Sequence, residues 1–199
     1  MIFSLRLASG SDIRAQMLRN VGMDIDVTPP RIDEDSVKRA LIAEGHSPRS
    51  IADALAEAKG RKVSQKFGDD MVLAADQVLE LEGEILSKPK SPNEAENQLN
   101  LLQGKIHLLH SAAVFFQDSK PIWRHVATAK LHMRRLSMPF IMNYVERNWE
   151  SVQWSVGAYK IEEEGLRLFN RIDGDHSTIL GLPMTPLLNF LTDRGDLEL

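Results

Sequence analysis

No cysteine occurs in the 199 residues of this chain. Disulfides, zinc ribbons and thiol nucleophiles are therefore excluded. Positive charge is not in excess, since 24 Lys+Arg stand against 28 Asp+Glu for a formal net charge of -4. General nucleic-acid binders carry a basic surplus, so that class is set aside, although a local basic pocket is not. No apolar run approaches the about 18 residues that cross a bilayer. The opening "MIFSLRLAS" is too short and too polar for a secretory signal. The expectation is a cytoplasmic protein with no membrane contact. Several catalytic signatures are also missing: there is no G-x-x-x-x-G-K-[ST], no H-E-x-x-H and no G-x-S-x-G. The six histidines are scattered without metal-ligand spacing. Each is expected to be a surface or partly buried residue.

Hydrophobic residues make up 43% and charged residues 26%, the profile of a globular chain long enough for one domain with a substantial core. Neither a repeat nor a linker is visible, so residues 1–199 are read as a single domain. Apolar runs of strand length alternate with amphipathic helical runs, which points to an α/β architecture. "IFSLRLA" reads as the first strand, followed by a helix over about Asp12–Val21 with Gly22 just past its end. "MDIDVTPP" reads as a strand, and residues 35–44 and 49–66 as helices. "MVLAADQVLELEGEILSKP" reads as a hairpin turning at Glu82-Gly83. Ser91, Pro92 and Glu94 announce another helix. Two long strands joined at "DSK" follow, then the helix "SMPFIMNYVERNW", and a short helix closes the tail. "SVGAYKIEEEGLRLF" and "RIDGDHSTILGLP" read as loops of demanding backbone geometry.

Four local anomalies carry chemistry. Arg14 falls in the first turn of a helix, where the helix dipole disfavours a cation by ~0.3–1 kcal/mol. Either Ser11 merely caps that helix and Arg14 is solvated, or Ser9, Ser11 and Arg14 face an anion at the helix N-terminus. Lys59 is the second. At about 100° per residue, Ala52, Leu55, Ala56 and Val63 share one apolar face with Lys59 near its middle, so the lysine must snorkel out or meet an anion. Asp76 is the third, a carboxylate inside an apolar strand. It is either a structural partner for a cation, or a group that holds Mg²⁺ or takes a proton from water. Alternation places it with Val72, Ala74 and Val78, and Gln77 on the opposite face. Lys88, before a proline, sits on extended backbone at the end of the hairpin. Three cations interleaved with Asp76, Asp33, Glu34 and Glu162 would suit a triphosphate with a divalent metal.

Together these motifs resemble the Maf family of nucleoside triphosphate pyrophosphatases. The family signature similar to L-A-S-x-S-P-x-R stands here as "LASGSDIR", its L-A-x-x-K as "LAEAK" with Lys59, and its G-A-D-[TQ] as "AADQ" with Asp76. "GEILSKP" with Lys88 follows, then "GAYKIEEEG" and "GDHSTILGLP" in the places of the late family motifs. Order and spacing agree from about Leu7 to Pro186. The resemblance implies an α/β fold with a long twisted mixed sheet, flanking helices and two lobes around a substrate cleft. It implies hydrolysis of the α–β phosphoanhydride, with Asp76 as the proton acceptor and Ser9, Ser11, Arg14, Lys59 and Lys88 on the phosphates. It also implies Mg²⁺ or Mn²⁺ bridging the phosphates and, often, a homodimer. Asp76 and Glu34, the latter taken before Asp33, are the candidate metal ligands.

Base preference is implied by three positions. One family group, acting on dTTP and UTP, has arginine, threonine and glutamine there; the 7-methyl-GTP group has tryptophan, glutamine and glutamate. This chain has Ile13, Gln77 and Glu162, two of which match the 7-methyl-GTP group. A carboxylate at Glu162 can accept from the guanine N1–H and amino group and favours a cationic ring. Ile13 supplies no aromatic stacking surface, Asp12 replaces the family proline, and Lys160 and Glu163 adjoin Glu162. The expectation is a pyrophosphatase favouring 7-methyl-GTP. The alternatives are a dTTP/UTP pyrophosphatase and a nucleotide-binding regulator of septum formation with little turnover.

Overall fold

The computed structural model describes residues 5–197. The chain opens with β1 (Leu5–Ala8), α1 (Asp12–Asn20), β2 (Ile25–Val27), α2 (Glu34–Ala43) and α3 (Pro48–Ser64). It continues through β3 (Met71–Leu81), β4 (Glu84–Leu86), α4 (Pro92–Leu102), β5 (Ile106–Gln117), β6 (Lys120–Met133) and α5 (Met138–Val152). Two 3-10 turns, β7 (Phe169–Asp173), α6 (His176–Ile179) and α7 (Met184–Arg194) complete it. The expected first strand thus forms from Leu5 onward, and its first three residues lie outside the described residues. Among the described residues, no helix is long and apolar enough to cross a membrane.

The seven strands form one mixed sheet in the order β2-β1-β3-β5-β6-β7, with β4 on β3. β1 runs parallel to both β2 and β3, whereas β4 and β7 pair antiparallel. The α/β architecture is the one expected from the alternation of elements, and the mixed sheet is the one the family resemblance implies. Sharp turns follow from local backbone choices. Glu82 and Gly83 both adopt positive φ, 54° and 91°, the geometry that matches the twist of a two-residue hairpin. Asp118 and Ser119 do the same between β5 and β6 at 50° and 60°.

The chain divides into two compact units, with three of their four boundaries inside β3, β5 and β6 and the fourth just after β7. The first takes the residues up to Gln77, His110–Ala127 and those from Asp175 on. In it, Leu5, Leu7, Leu73, Ala75, Ala113 and Phe115 pack with Leu18 of α1 and with Leu187 and Leu191 of α7. α3 buries Ile51, Ala52, Leu55, Ala56 and Val63, the face expected from its periodicity. Gly60 lets α3 lie close to the sheet, since a Cβ there would collide with the ring of Phe116 and touch Ala74 at 3.0 Å. Pro48 begins α3 behind Ser47, whose hydroxyl accepts from the Ser50 amide at 3.2 Å, so the helix starts one residue earlier than expected.

The second unit holds Val78–Leu109 and Thr128–Gly174. Here the loop reading of the late segments needs correction, because Phe169–Asp173 is a strand paired with β6. It ends the strand order and alternates weakly, with Asn170 and Arg171 exposed, so it lacks the hydrophobic signature of a central strand. In the first unit, His176–Ile179 likewise forms a short helix, with Asp175 accepting from the Thr178 amide at 2.9 Å.

The histidine reading is corrected too. His107 and His110 are 0% and 4% exposed. They lie in β5, which is buried along nearly its whole length, so no polar-out alternation marks them. In the second unit, His107 Nε2 and the Tyr159 hydroxyl lie 2.7 Å apart. Burial pulls the His107 imidazole down to about 4, with His132 adding to the effect.

Candidate active site

Parallel pairing places the end of β1 beside the middle of β3, with Ala8 opposite Ala74. The turn after β1 therefore lies beside Ala75 to Gln77 of β3, just past the carboxyl end of a parallel strand, where open α/β sheets gather ligand-binding loops. Ser11 occupies the N-cap of α1 but its hydroxyl makes no capping bond, and its own amide donates to Ser9 Oγ at 3.2 Å. The simple capping reading of Ser11 is thus not what the helix uses.

Arg14 is 9% exposed rather than solvated. Its Nε donates to the Gly181 carbonyl at 2.8 Å, and its Nη1 donates to Ser9 Oγ and the Ala75 carbonyl, both at 3.1 Å. Burial draws its pKa below the ordinary guanidinium value, while Asp76 and Glu34 act the other way. A guanidinium starts so high that it stays charged near neutrality. Nη2 has no acceptor among the described residues, so one edge of the fork remains for a ligand.

Lys59 does not snorkel. Its ammonium lies 2.5 Å from Asp76 Oδ1 and 3.1 Å from Glu34 Oε1. Asp76 reaches it because Asp76 shares the face of β3 that carries Ala74, on which α3 packs closely at Gly60. Glu34 reaches it from the first turn of α2. Asp33 is engaged elsewhere. It caps α2, accepting from the Ser36 amide at 3.0 Å and the Ser36 hydroxyl at 2.7 Å, and those bonds hold its carboxyl below the usual range.

Gln77 faces the other side of β3, as alternation requires. Its Nε2 donates to Ser111 Oγ at 2.9 Å, to the Ile179 carbonyl at 2.9 Å and to the Thr178 carbonyl at 3.2 Å. Two of these acceptors are carbonyls, so the amide orientation is settled by chemistry: the nitrogen must point at them. The oxygen Oε1 is left without a partner among the described residues. Ile13 is half-buried in α1.

Lys88 and Glu162 belong to the second unit, and both are exposed there. Glu162 is one of three consecutive acids. Glu163 accepts from Ser151 at 2.7 Å and pairs with Lys160 at 3.4 Å, and Glu164 accepts from Arg147 and Asn148, both at 2.8 Å. Glu162 has no such partner among the described residues.

A family model described as Maf-like protein matches residues 4–194. The chain belongs to the Maf family. A relative from Ruegeria sp. (strain TM1040) is 57% identical over 96% of each chain, and one from Caulobacter vibrioides is 47% identical over 96% of each. Both are named nucleoside triphosphate pyrophosphatase. A relative from Rhizobium meliloti, 42% identical over 98% of each chain, is named 7-methyl-GTP pyrophosphatase.

The structure of this Maf chain adds residues that sequence reasoning missed. Gly181 has φ +98°, and a Cβ on it would stand 2.9 Å from Arg14 Nη2 and 3.0 Å from Nε. The glycine of "GLP" is therefore required both by its backbone and by the guanidinium against it. Ser111 is 0% exposed and donates to the Thr178 carbonyl at 2.7 Å. A buried serine within "HSAAVFF" was a visible signal, because a hydroxyl among apolar neighbours must find partners.

Proposed function

We propose that this Maf chain hydrolyses nucleoside triphosphates at the α–β anhydride, giving a nucleoside monophosphate and pyrophosphate, with 7-methyl-GTP favoured. The observation that carries this reading is the buried Lys59 ammonium between Asp76 and Glu34, with Arg14 electrostatically coupled to both acids. Phosphoryl transfer requires mainly positioning and neutralisation of charge. Arg14 Nη2, the uncapped amides at the start of α1, Ser9, Ser11 and Lys59 supply donors for phosphate oxygens. Asp76 takes the proton from the attacking water.

The donor set suits a divalent metal. Two carboxylates already converge on one cation, and among the described residues no group of three or more acids or histidines is arranged to hold a metal. Mg²⁺ bound through one or two carboxylates completes its shell with substrate phosphates and water. Asp76 and Glu34 would hold Mg²⁺ or Mn²⁺, which would supply neutralisation of the phosphate charge when bound.

For the base, Glu162 is the acid of its run without a partner among the described residues, suited to the donors on the guanine edge and to a cationic ring. Gln77, matching the 7-methyl-GTP group, offers only an acceptor, Oε1. Relatives at 57% and 47% identity bear the broader name, and the Rhizobium meliloti relative bears the narrower one. The second reading is a nucleotide-binding regulator with little turnover. The paired Asp76 and Glu34 favour the enzyme, since binding alone does not call for a proton acceptor.

The test is pyrophosphate release across a nucleotide panel that includes 7-methyl-GTP, GTP, dTTP and UTP, with Mg²⁺ or Mn²⁺, run beside Asp76→Asn. Release that is highest for 7-methyl-GTP and abolished in Asp76→Asn is expected. Tight nucleotide binding without release would establish the regulator instead. Glu162→Gln is expected to narrow the preference for 7-methyl-GTP in kcat/KM.

A further inference from the structure

Ser111 stands outside the residues assigned to substrate above, yet it sits at a junction of three chain segments. It lies in β5 ahead of Ala112, Ala113, Val114 and Phe115, all buried, where its hydroxyl has no water to bond. Both of its functions are satisfied by protein. It accepts from Gln77 Nε2 of β3 at 2.9 Å and donates to the Thr178 carbonyl at 2.7 Å. That carbonyl also takes the Gly181 amide at 3.0 Å. The Gly181 carbonyl in turn takes Arg14 Nε at 2.8 Å, while Arg14 Nη1 is anchored to Ser9 and Ala75.

Arg14 is therefore held from two sides. One anchor is the turn after β1 with Ala75 inside β3, and the other is the segment 175–181. That second anchor is tied to the sheet by Ser111 and Gln77 through the carbonyls of Thr178 and Ile179. We infer that Ser111 is a positioning residue for Arg14, acting through the Thr178 carbonyl and Gly181 to fix the direction of the guanidinium edge that faces the phosphates. The same geometry makes Gln77 a second tie on the segment, in addition to any contact of its Oε1 with a base.

The inference rests on the proposed role of Arg14, and the experiment separates the two. Ser111→Ala, Ser111→Thr, Arg14→Lys and the double variant Ser111→Ala/Arg14→Lys are compared by KM for the preferred triphosphate, inhibition constant for inorganic pyrophosphate and thermal midpoint. Loss of one buried hydrogen bond that orients a charged group corresponds to a rise of about tenfold in the pyrophosphate inhibition constant for Ser111→Ala. Ser111→Thr keeps a hydroxyl and is expected to restore it. In the Arg14→Lys background Ser111→Ala is expected to add no further rise, because the two changes act on one group.

A lowered midpoint in Ser111→Ala with an unchanged inhibition constant would show a purely structural serine and overturn the inference. So would a full additional rise in the double variant. If Arg14→Lys alone moves neither KM nor the inhibition constant, the reading of Arg14 itself fails, and that result is distinct from the other two.

Discussion

Lys59 of α3 and Asp76 of β3 meet at 2.5 Å with side chains only 9% and 7% exposed. A buried pair of this kind costs desolvation on both sides, and removing one partner leaves the other charge uncompensated. Lys59→Met is therefore expected to destabilise the protein by about 3 kcal/mol. The double variant Lys59→Met/Asp76→Leu is expected to recover much of that loss while remaining inactive. Urea unfolding and pyrophosphate release measure the two effects separately. A Lys59→Met protein as stable as wild type would mean that the pair contributes no such coupling.

Gly181→Ala should disturb Arg14 without touching substrate directly. The residue has φ +98°, and its added methyl group would stand 2.9 Å from Arg14 Nη2. The backbone conformation alone costs roughly 1–2 kcal/mol for a residue with a Cβ. The expected outcome is a loss of stability of that order, together with a raised KM. A folded variant with unaltered KM would place the guanidinium outside the phosphate site.

Asp33 and Glu34 are neighbours with separable roles. Asp33 caps α2 through Ser36, and α2 buries no residue completely. Asp33→Ala should cost about 1 kcal/mol of local helix stability and leave turnover nearly intact, seen as faster amide exchange confined to the start of α2. Glu34→Gln should leave that exchange unchanged and lower turnover, with a higher demand for Mg²⁺ or Mn²⁺. Reversed results would exchange the two assignments.

His107 makes stability depend on pH. Its folded value is lowered from 6.5 to about 4 by burial. The neutral imidazole therefore favours the folded state fully above the unfolded value. As pH falls from 6.5 toward 4, the unfolded chain takes up a proton that the folded chain resists, and stability declines by up to roughly 3 kcal/mol. His107→Phe is expected to flatten that part of the curve, so its difference from wild type shrinks as pH falls. Parallel curves for the two proteins in urea unfolding between pH 7.5 and 4.5 would contradict the assignment.

Much of this architecture was written into local pattern. The face of α3, the Glu82-Gly83 turn, the cap at Ser91 and the opposition of Asp76 to Gln77 all depend on residues near one another in the chain. Periodicity, left-handed turn residues and capping hydroxyls report such short-range geometry directly. The same patterns exposed Arg14, Lys59 and Asp76 as misfits, because each sits where its own element gives it no partner. β7 and the buried pair His107 and His110 escaped notice for the converse reason. An edge strand carries little hydrophobic signal, and a strand buried on both faces loses the alternation that would single out a polar residue.

The sequence by itself determined which residues need partners, and tertiary structure alone decided who those partners are. That Lys59 joins Asp76 to Glu34, that Asp33 is occupied with Ser36, and that Arg14 hangs from Gly181 are facts of long-range approach. Arg14 and Gly181 are separated by 167 positions in the chain. Their meeting depends on strand order and on the ties of Ser111 and Gln77 to the Thr178 carbonyl, while that of Lys59 and Asp76 depends on the close packing permitted by Gly60. None of these distances is encoded in any single segment, because each is set by how separate elements pack on one sheet.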